Sequence, residues 1–170
     1  MLTWQMWIKV LIGSVPAGIV GILFNDILDE IFYKPLPVAI MLIVYGVLFI
    51  VIENYNKRRR PTCTRLDELS FKTALIIGCF QVLSVIPGTS RSGATIVGAL
   101  IIGVSRGAAA EFTFYLAIPV MFGASLLKII KSAMHGLHYG PMEVITLLVG
   151  MIVAFIISLF VIRFLMDYIR

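Results

Sequence analysis

The chain has 170 residues, of which 60% are hydrophobic and only 14% are charged, and its mean hydropathy is +1.03. A soluble domain of this length needs a polar surface that so few charges cannot form. The composition therefore excludes soluble, disordered and fibrous proteins and predicts an all-α integral membrane protein. The net charge of +5 lies in short loops between apolar runs, which indicates membrane topology rather than nucleic-acid binding.

Four apolar stretches are long enough to cross a bilayer as a multi-span helical bundle. They cover about residues 10–28, 36–52, 112–130 and 144–162. The densest positive cluster, residues 57–60 (Lys-Arg-Arg-Arg), follows the second stretch and predicts a cytoplasmic loop. A patch for nucleic acid or anionic lipid is the alternative interpretation of this cluster. On the cytoplasmic interpretation, Lys9, Arg106 and Arg163 fall on the same side of the membrane.

The central region is different, because residues 73–87 and 93–104 are apolar but shorter than the roughly 17–25 residues that a spanning helix needs. The sequence Pro-Gly-Thr-Ser-Arg-Ser-Gly between them, residues 87–93, interrupts a helix and brings polar side chains to membrane depth. This pattern favours a re-entrant or broken helix pair. The charge distribution is equally compatible with two short tilted spans.

A weak internal similarity links the first and last spans. Residues 11–17 match residues 148–154 at Leu, Gly and Ala, with a constant offset of 137 residues between Leu11 and Leu148. The two spans are predicted to run in opposite directions, which favours an inverted repeat, with chance similarity between apolar sequences as the alternative. The same offset places the partner of residues 78–95 before Met1. We therefore expect the chain to be the second half of an inverted-repeat fold.

Arg91 carries most of the predicted chemistry, because a guanidinium between apolar segments is costly unless something compensates it. Its planar set of N–H donors suits phosphate oxygens. A helix predicted to open at Gly93 would direct free N–H groups and its positive dipole end to the same point. Hydroxyl groups and flexible glycines surround the arginine: Ser90, Ser92, Thr95, Gly88 and Gly93. The pattern favours an anion site over a surface turn whose arginine only marks the interface.

The same residues carry a family resemblance. Residues 86–95, Ile-Pro-Gly-Thr-Ser-Arg-Ser-Gly-Ala-Thr, resemble the PGxSRSGxT signature of the undecaprenyl-diphosphate phosphatase (bacitracin-resistance) family. Residues 103–106 and 109–119 are similar to the stretch that follows this signature, and the resemblance covers nearly the whole chain. It implies hydrolysis of undecaprenyl diphosphate to the monophosphate lipid carrier of cell-wall synthesis, in the bacterial plasma membrane. It also implies two re-entrant helix pairs and a divalent cation, Mg or Ca.

The resemblance assigns roles and partners as well. Catalytic roles fall on Arg91, Ser90, Ser92 and Thr95, and substrate-binding roles on Gly88, Thr89, Gly93 and Gln81. The implied partners are the polyprenyl diphosphate lipid, membrane lipids and a second copy in a homodimer, with no nucleic acid. The family's glutamate-rich element, serine pair and histidine belong to the first repeat. No metal ligand is therefore assigned in this chain, and we do not expect it to turn over alone.

Other polar residues have plainer interpretations. Glu111 is predicted to accept a hydrogen bond from Arg91 or Ser105, with a carboxylate at a helix start as the alternative. His135 and His138 are three residues apart in a glycine-rich loop, and two loop histidines without a carboxylate are commonly solvated rather than metal-bound.

A polyprenyl-phosphate transporter or flippase is the competing function, because inverted repeats with broken helices are a transport architecture. A non-catalytic scaffold would leave the cost of Arg91 unexplained.

Overall fold

The chain is an all-α integral membrane protein, as its composition predicts. A computed structural model describes residues 2–32, 34–56, 60–134 and 140–169. Within these ranges the only β-type pairing is a single isolated bridge between Cys63 and Val104. The described residues form six α-helices: α1 (Leu2–Phe32), α2 (Pro35–Asn56), α3 (Phe71–Gln81), α4 (Arg91–Ile101), α5 (Arg106–Met134) and α6 (Pro141–Ile169). Four of them, α1, α2, α5 and α6, are long and apolar enough to cross a membrane.

Each of the four apolar stretches lies inside one of these long helices, and every helix extends beyond its stretch at both ends. Hydropathy marks only the apolar centre of a helix, whereas backbone hydrogen bonding continues into the more polar ends. The described residues form two compact units that divide between Leu126 and Leu127. His135 and His138 lie outside the described residues.

The short helices α3 and α4 form the hairpin, residues 71–101, in which a 3-10 turn at Val82–Val85 follows α3. Ser70 caps α3, and its Oγ accepts a hydrogen bond from the backbone N–H of Thr73 at 3.0 Å. The chain segments that enter and leave the hairpin are hydrogen-bonded to each other. The N–H of Thr62 donates to the carbonyl of Gly103 at 2.8 Å, and that of Ser105 to the carbonyl of Cys63 at 2.8 Å. Both ends of the hairpin therefore lie together, and we call residues 60–70 and 102–106 the base.

Close backbone contact fixes the hairpin against α1. A Cβ atom added to Gly78 would lie only 2.1 Å from the carbonyl oxygen of Gly13, so the two helices touch through their main chains. Around this crossing, small and branched residues of α1, α3, α4 and α5 form the larger core cluster. Its members are Val10, Leu69, Ala74, Ile77, Ala99, Val104, Ala108, Ala109, Phe112 and Leu116.

Charged residues collect at the base. Lys9 is only 7% exposed, and its Nζ donates to the carbonyl of Asp67 at 3.3 Å and lies 5.7 Å from the centre of the Phe71 ring. Arg106 forms an ion pair with Glu53, which joins the start of α5 to the end of α2. In the first unit, helices α1, α3 and α5 begin at this end and α2 and α4 end there, in agreement with the predicted clustering of positive charge.

The two cysteines are free thiols. Burial raises the pKa of the Cys63 thiol, and the neighbouring Glu68 carboxylate adds to the effect. A thiol with a raised pKa stays protonated near neutral pH and is a poor nucleophile and metal ligand.

In the second unit, every described side chain of α6, from Pro141 to Phe164, is exposed. Most of these side chains are large and apolar, as expected of a helix surface that faces lipid.

Candidate functional site

The turn between the two short helices is rigid. Residues Ile86–Thr89 form a type II turn, with Pro87 at its second position and Gly88 at its third, where φ is +93°. The N–H of Thr89 closes the turn by donating to the carbonyl of Ile86 at 3.1 Å. We call residues 86–92, from this turn to the first residues of α4, the apex of the hairpin.

Helix α4 begins at the apex, two residues earlier than the glycine at which the sequence predicts it. Ser90 is its N-cap, and the Ser90 Oγ accepts from the N–H of Gly93 at 3.2 Å. Among the described residues, the N–H groups of Arg91 and Ser92 have no acceptor, as is normal for the first turn of a helix. These two donors, together with the positive end of the helix dipole, favour an anion at this position.

Arg91 is half-buried at the start of α4. One guanidinium nitrogen, Nη1, donates to the backbone carbonyl of Ala117 in α5 at 3.3 Å. A guanidinium has five N–H donors, and the others meet no acceptor among the described residues. The contact with α5 holds the Arg91 side chain in place. The remaining guanidinium N–H groups stay available to an external oxyanion.

Two serine hydroxyls lie beside this arginine. Ser90 and Ser92 are both exposed, and their Oγ atoms are 3.3 Å apart. The Oγ1 of Thr89 is buried and has no partner among the described residues, which is costly unless a ligand or water satisfies it. The apex therefore brings together Thr89, Ser90, Arg91 and Ser92, four of the residues predicted from the sequence.

The structure contradicts the predicted role of Thr95. This residue is fully buried, and its Oγ1 donates within α4 to the carbonyls of Arg91 at 3.1 Å and Ser92 at 3.0 Å. It also accepts a hydrogen bond from the Oγ1 of Thr113 at 3.0 Å. Thr95 lies one turn after the exposed residues, on the inner face of α4, and therefore contributes to packing rather than to ligand contact.

The two predicted substrate-binding glycines also serve a different purpose. A Cβ on Gly93 would lie 2.7 Å from the Phe49 ring, and one on Gly88 would lie 2.8 Å from the carbonyl oxygen of Val38. Both glycines therefore permit the hairpin to pack closely against α2. Their predicted role in bringing the backbone close to an anion stays a prediction, and the packing against α2 is a second reason for glycine at these positions.

Gln81 and Glu111 have no hydrogen bond to the apex residues among the described residues. Gln81 is 1% exposed and its Nε2 has no partner among the described residues. The preceding residue, Phe80, packs on Gly98, which is about 10 Å along α4 from Arg91. Glu111 is exposed and has no hydrogen bond to Arg91 or Ser105, because it lies about 9 Å along α5 from the carbonyl that Arg91 contacts. Glu111 thus makes neither of the two predicted hydrogen bonds in this structure, and its positioning role stays a prediction beside the alternative of a carboxylate at a helix start.

The apex does not suit a divalent cation. Mg²⁺ and Ca²⁺ need several oxygen ligands and in proteins commonly use carboxylates, whereas the apex offers hydroxyls beside a guanidinium. The described residues contain no group of three or more His, Cys, Asp or Glu side chains that could hold a metal. The donor set fits an anion instead.

Sequence reasoning missed three partners of the site: the Ala117 carbonyl, the Thr113 hydroxyl and the Phe49 ring. Only Thr113 has a sequence signal. A hydroxyl at an apolar position in a membrane helix needs an acceptor, and such residues commonly pair with a polar residue of another helix. The other two follow from tertiary packing alone.

Comparison with known proteins adds to this geometry. The family described as "Bacitracin resistance protein BacA" matches residues 1–170 of the chain. The chain belongs to this family. The predicted family is thus confirmed over the whole sequence.

Relatives from several bacteria carry one name, "Undecaprenyl-diphosphatase". The protein from Enterococcus faecalis is 60% identical over 168 residues, which cover 99% of this chain and 60% of the relative. That from Acetivibrio thermocellus is 58% identical, with 99% of this chain and 61% of the relative covered. That from Lactiplantibacillus plantarum is 54% identical, with the same two shares of 99% and 61%. The chain thus spans about 60% of the length of these relatives.

Proposed function

We propose that this chain binds the diphosphate group of undecaprenyl diphosphate at the apex, as part of an undecaprenyl-diphosphatase in the bacterial plasma membrane. The observation that carries the proposal is the half-buried Arg91, held by one hydrogen bond to α5 and flanked by two exposed serines at a helix start. The name shared by the relatives supports the substrate.

Different apex residues contact different oxygens of the diphosphate. Arg91 neutralises negative charge on the diphosphate and offers two parallel N–H groups to its oxygens. The hydroxyls of Ser90 and Ser92 and the free N–H groups of α4 donate to the remaining oxygens. During hydrolysis, water attacks the terminal phosphorus and releases a proton to solvent, the bond to the bridging oxygen breaks, and undecaprenyl phosphate leaves with the electron pair. Negative charge grows on that leaving oxygen, and donors already in place stabilise it.

The hairpin is proposed to be re-entrant, with its base at the cytoplasmic surface. Helix α4 has 11 residues and is therefore about 16 Å long, roughly half the thickness of the hydrocarbon core. An apex at that depth would meet the diphosphate of a lipid whose tail lies between apolar helices. The positive residues at the base support this orientation.

Two implications of the family resemblance stay proposals. A divalent cation would need carboxylate ligands, which the apex does not offer. We therefore assign the contacts with the diphosphate anion to Arg91, Ser90 and Ser92 directly. A homodimer is proposed as well, and the molar mass of the detergent-solubilised chain by light scattering would test it.

Binding of short prenyl ligands by the purified 170-residue chain tests the apex. We expect farnesyl diphosphate to bind at least about tenfold more tightly than farnesol, since hydrogen bonds to charged groups contribute about 1.5–3 kcal/mol. Arg91→Ala should abolish this preference without weakening farnesol binding. Arg91→Lys should restore it in part, because the charge returns without the paired donors.

Arg163→Ala is the matched control, since it removes an exposed arginine from α6. An unchanged preference in Arg91→Ala would overturn the proposed role of the apex. Movement of the intact lipid between leaflets with no phosphate release, in proteoliposomes of the same chain, would instead favour the transporter.

A further inference from the structure

A cavity lined by both polar and apolar residues lies at the base of the hairpin. It has a volume of about 550 Å³, within the range of roughly 300–1,000 Å³ that is typical of small-molecule sites. It is bounded by the loop after α2, the end of α4 and the start of α5. The residues that give it its character are Arg60, Thr62, Leu100, Ile102, Ser105 and Arg106.

Two arginines make one side of this cavity positive. Arg60 is exposed and has no ion pair among the described residues. Arg106 pairs with Glu53 through Nη2, which leaves its other guanidinium nitrogens without an acceptor among the described residues. Residues 57–59, Lys-Arg-Arg, immediately precede Arg60 in the sequence. Phosphate oxygens are the ligands that such paired guanidinium groups bind well.

Much of the remaining cavity lining is apolar. Leu100 is 8% exposed and belongs to the smaller core cluster, while Ile101 and Ile102 continue the apolar surface at the end of α4. Helices α2, α4 and α5 all have an end here, so the cavity lies where the apolar part of the first unit meets its charged base. A ligand that combines an anionic group with the beginning of an acyl chain matches both sides. Free phosphate would match only the guanidinium side.

We propose that this cavity binds the phosphate headgroup of an anionic phospholipid, with Arg60 and Arg106 as its cationic partners. Basic pockets between membrane helices at the cytoplasmic surface bind such headgroups in general. The cavity is separated from the apex by the length of α4, about 16 Å, and the proposal is independent of the function assigned to Arg91.

Native mass spectrometry of the purified 170-residue chain in neutral detergent tests this site. Dihexanoyl phosphatidylglycerol is the anionic probe, and dihexanoyl phosphatidylcholine is the zwitterionic control. We expect the anionic lipid to bind preferentially, and Arg60→Gln and Arg106→Gln each to weaken it about fivefold, from the typical contribution of one basic residue near an anionic surface. Arg163→Gln, which removes one exposed arginine outside the cavity, should leave binding unchanged.

Glu53→Gln separates ligand binding from a structural role of Arg106. It breaks the same ion pair as Arg106→Gln but keeps the arginine charge, so it should preserve or strengthen lipid binding. Equal losses in Glu53→Gln and Arg106→Gln would show that only the ion pair matters and would overturn the proposal. Equal binding of the two lipids would also overturn it, as would normal binding by Arg60→Gln.

Inorganic phosphate distinguishes the two sources of the anion. If the cavity binds a lipid, millimolar phosphate should displace little of the phosphatidylglycerol, because it has no acyl chain for the apolar side. Complete displacement by phosphate, with loss of phosphate binding in Arg60→Gln, would identify a free-anion site and contradict the lipid assignment. Arg60→Gln should keep the parent chain's preference for farnesyl diphosphate over farnesol. Failure of the lipid proposal and failure of the proposed function therefore give different results.

Discussion

The base and the apex of the hairpin lie at opposite ends of the same two short helices, but their polar groups are used differently. At the base, Lys9 donates to the Asp67 carbonyl and the Ser105 hydroxyl to the Thr64 carbonyl. At the apex, Ser92 is exposed and the Thr89 hydroxyl has no partner among the described residues. Polar groups that are satisfied within the protein stabilise the fold, whereas groups left without partners remain available to a ligand. The comparison predicts that mutations at the two ends will separate stability from binding of the diphosphate.

The largest effect on stability is expected at the crossing of α1 and α3. Gly78→Ala places a methyl group 2.1 Å from the Gly13 carbonyl oxygen, and a backbone atom cannot move aside as a flexible side chain would. We expect a loss of at least about 3 kcal/mol and a Tm lower by about 6–12 °C, or failure of the chain to accumulate. Thermal unfolding in detergent, followed by size-exclusion chromatography, measures this.

Gly46→Ala is the matched control, because no atom lies within 4 Å of the added Cβ in α2. It should be neutral or stabilise the chain by about 0.5–1 kcal/mol, from the helix propensity of alanine. If both variants keep the parent Tm, the close contact between α1 and α3 does not contribute to the stability of the chain.

A smaller effect is expected for the buried hydroxyl pair. Thr95→Val removes the acceptor of the Thr113 hydroxyl and should lower the free energy of unfolding by about 1–3 kcal/mol. The Kd for farnesyl diphosphate should not change, since Thr95 is fully buried. Thr113→Val should cost a similar amount, and the double variant less than the sum. Weaker diphosphate binding by a fully stable Thr95→Val would instead support the direct contact between Thr95 and the ligand that the sequence predicts.

The smallest effect on stability compares two helix caps. Ser70 and Ser90 cap α3 and α4 with the same hydrogen bond, at 3.0 Å and 3.2 Å, but one lies at the base and the other at the apex. Substitution of either by Ala should cost about 1 kcal/mol. Only Ser90→Ala should also weaken binding of farnesyl diphosphate, which calorimetry in detergent can measure. Equal affinities in the two variants would contradict a ligand contact of Ser90.

Much of the helical organisation follows from the sequence, because apolar length and turn residues act locally. The apolar stretch at residues 36–52 indicates α2 to within a few residues of its bounds, Pro35–Asn56. The N-terminus of α4 is harder to predict from the sequence. Ser90, a predicted ligand donor, is also the residue that caps the helix. The inverted repeat stays a prediction, because the similarity concerns residues 11–17 and 148–154, which lie in separate units.

The sequence predicts which polar residues of the candidate site lie together but not the direction that each side chain takes. A costly arginine between hydroxyl residues indicates an anion site from sequence alone, and Arg91, Ser90 and Ser92 do lie together at the apex. Which face each residue presents depends on neighbours that are distant in sequence. Phe49 fills the space next to Gly93, and the Thr113 hydroxyl donates to Thr95, so both residues have packing contacts that the sequence does not reveal.

The hydrogen bonds between Thr62 and Gly103 and between Cys63 and Ser105 have a consequence for biogenesis. Because the polypeptide departs from the hairpin where it arrived, residues 71–101 add an even number of traversals whatever depth they reach. The direction in which α5 is inserted is therefore the same whether the hairpin spans the bilayer or only enters it.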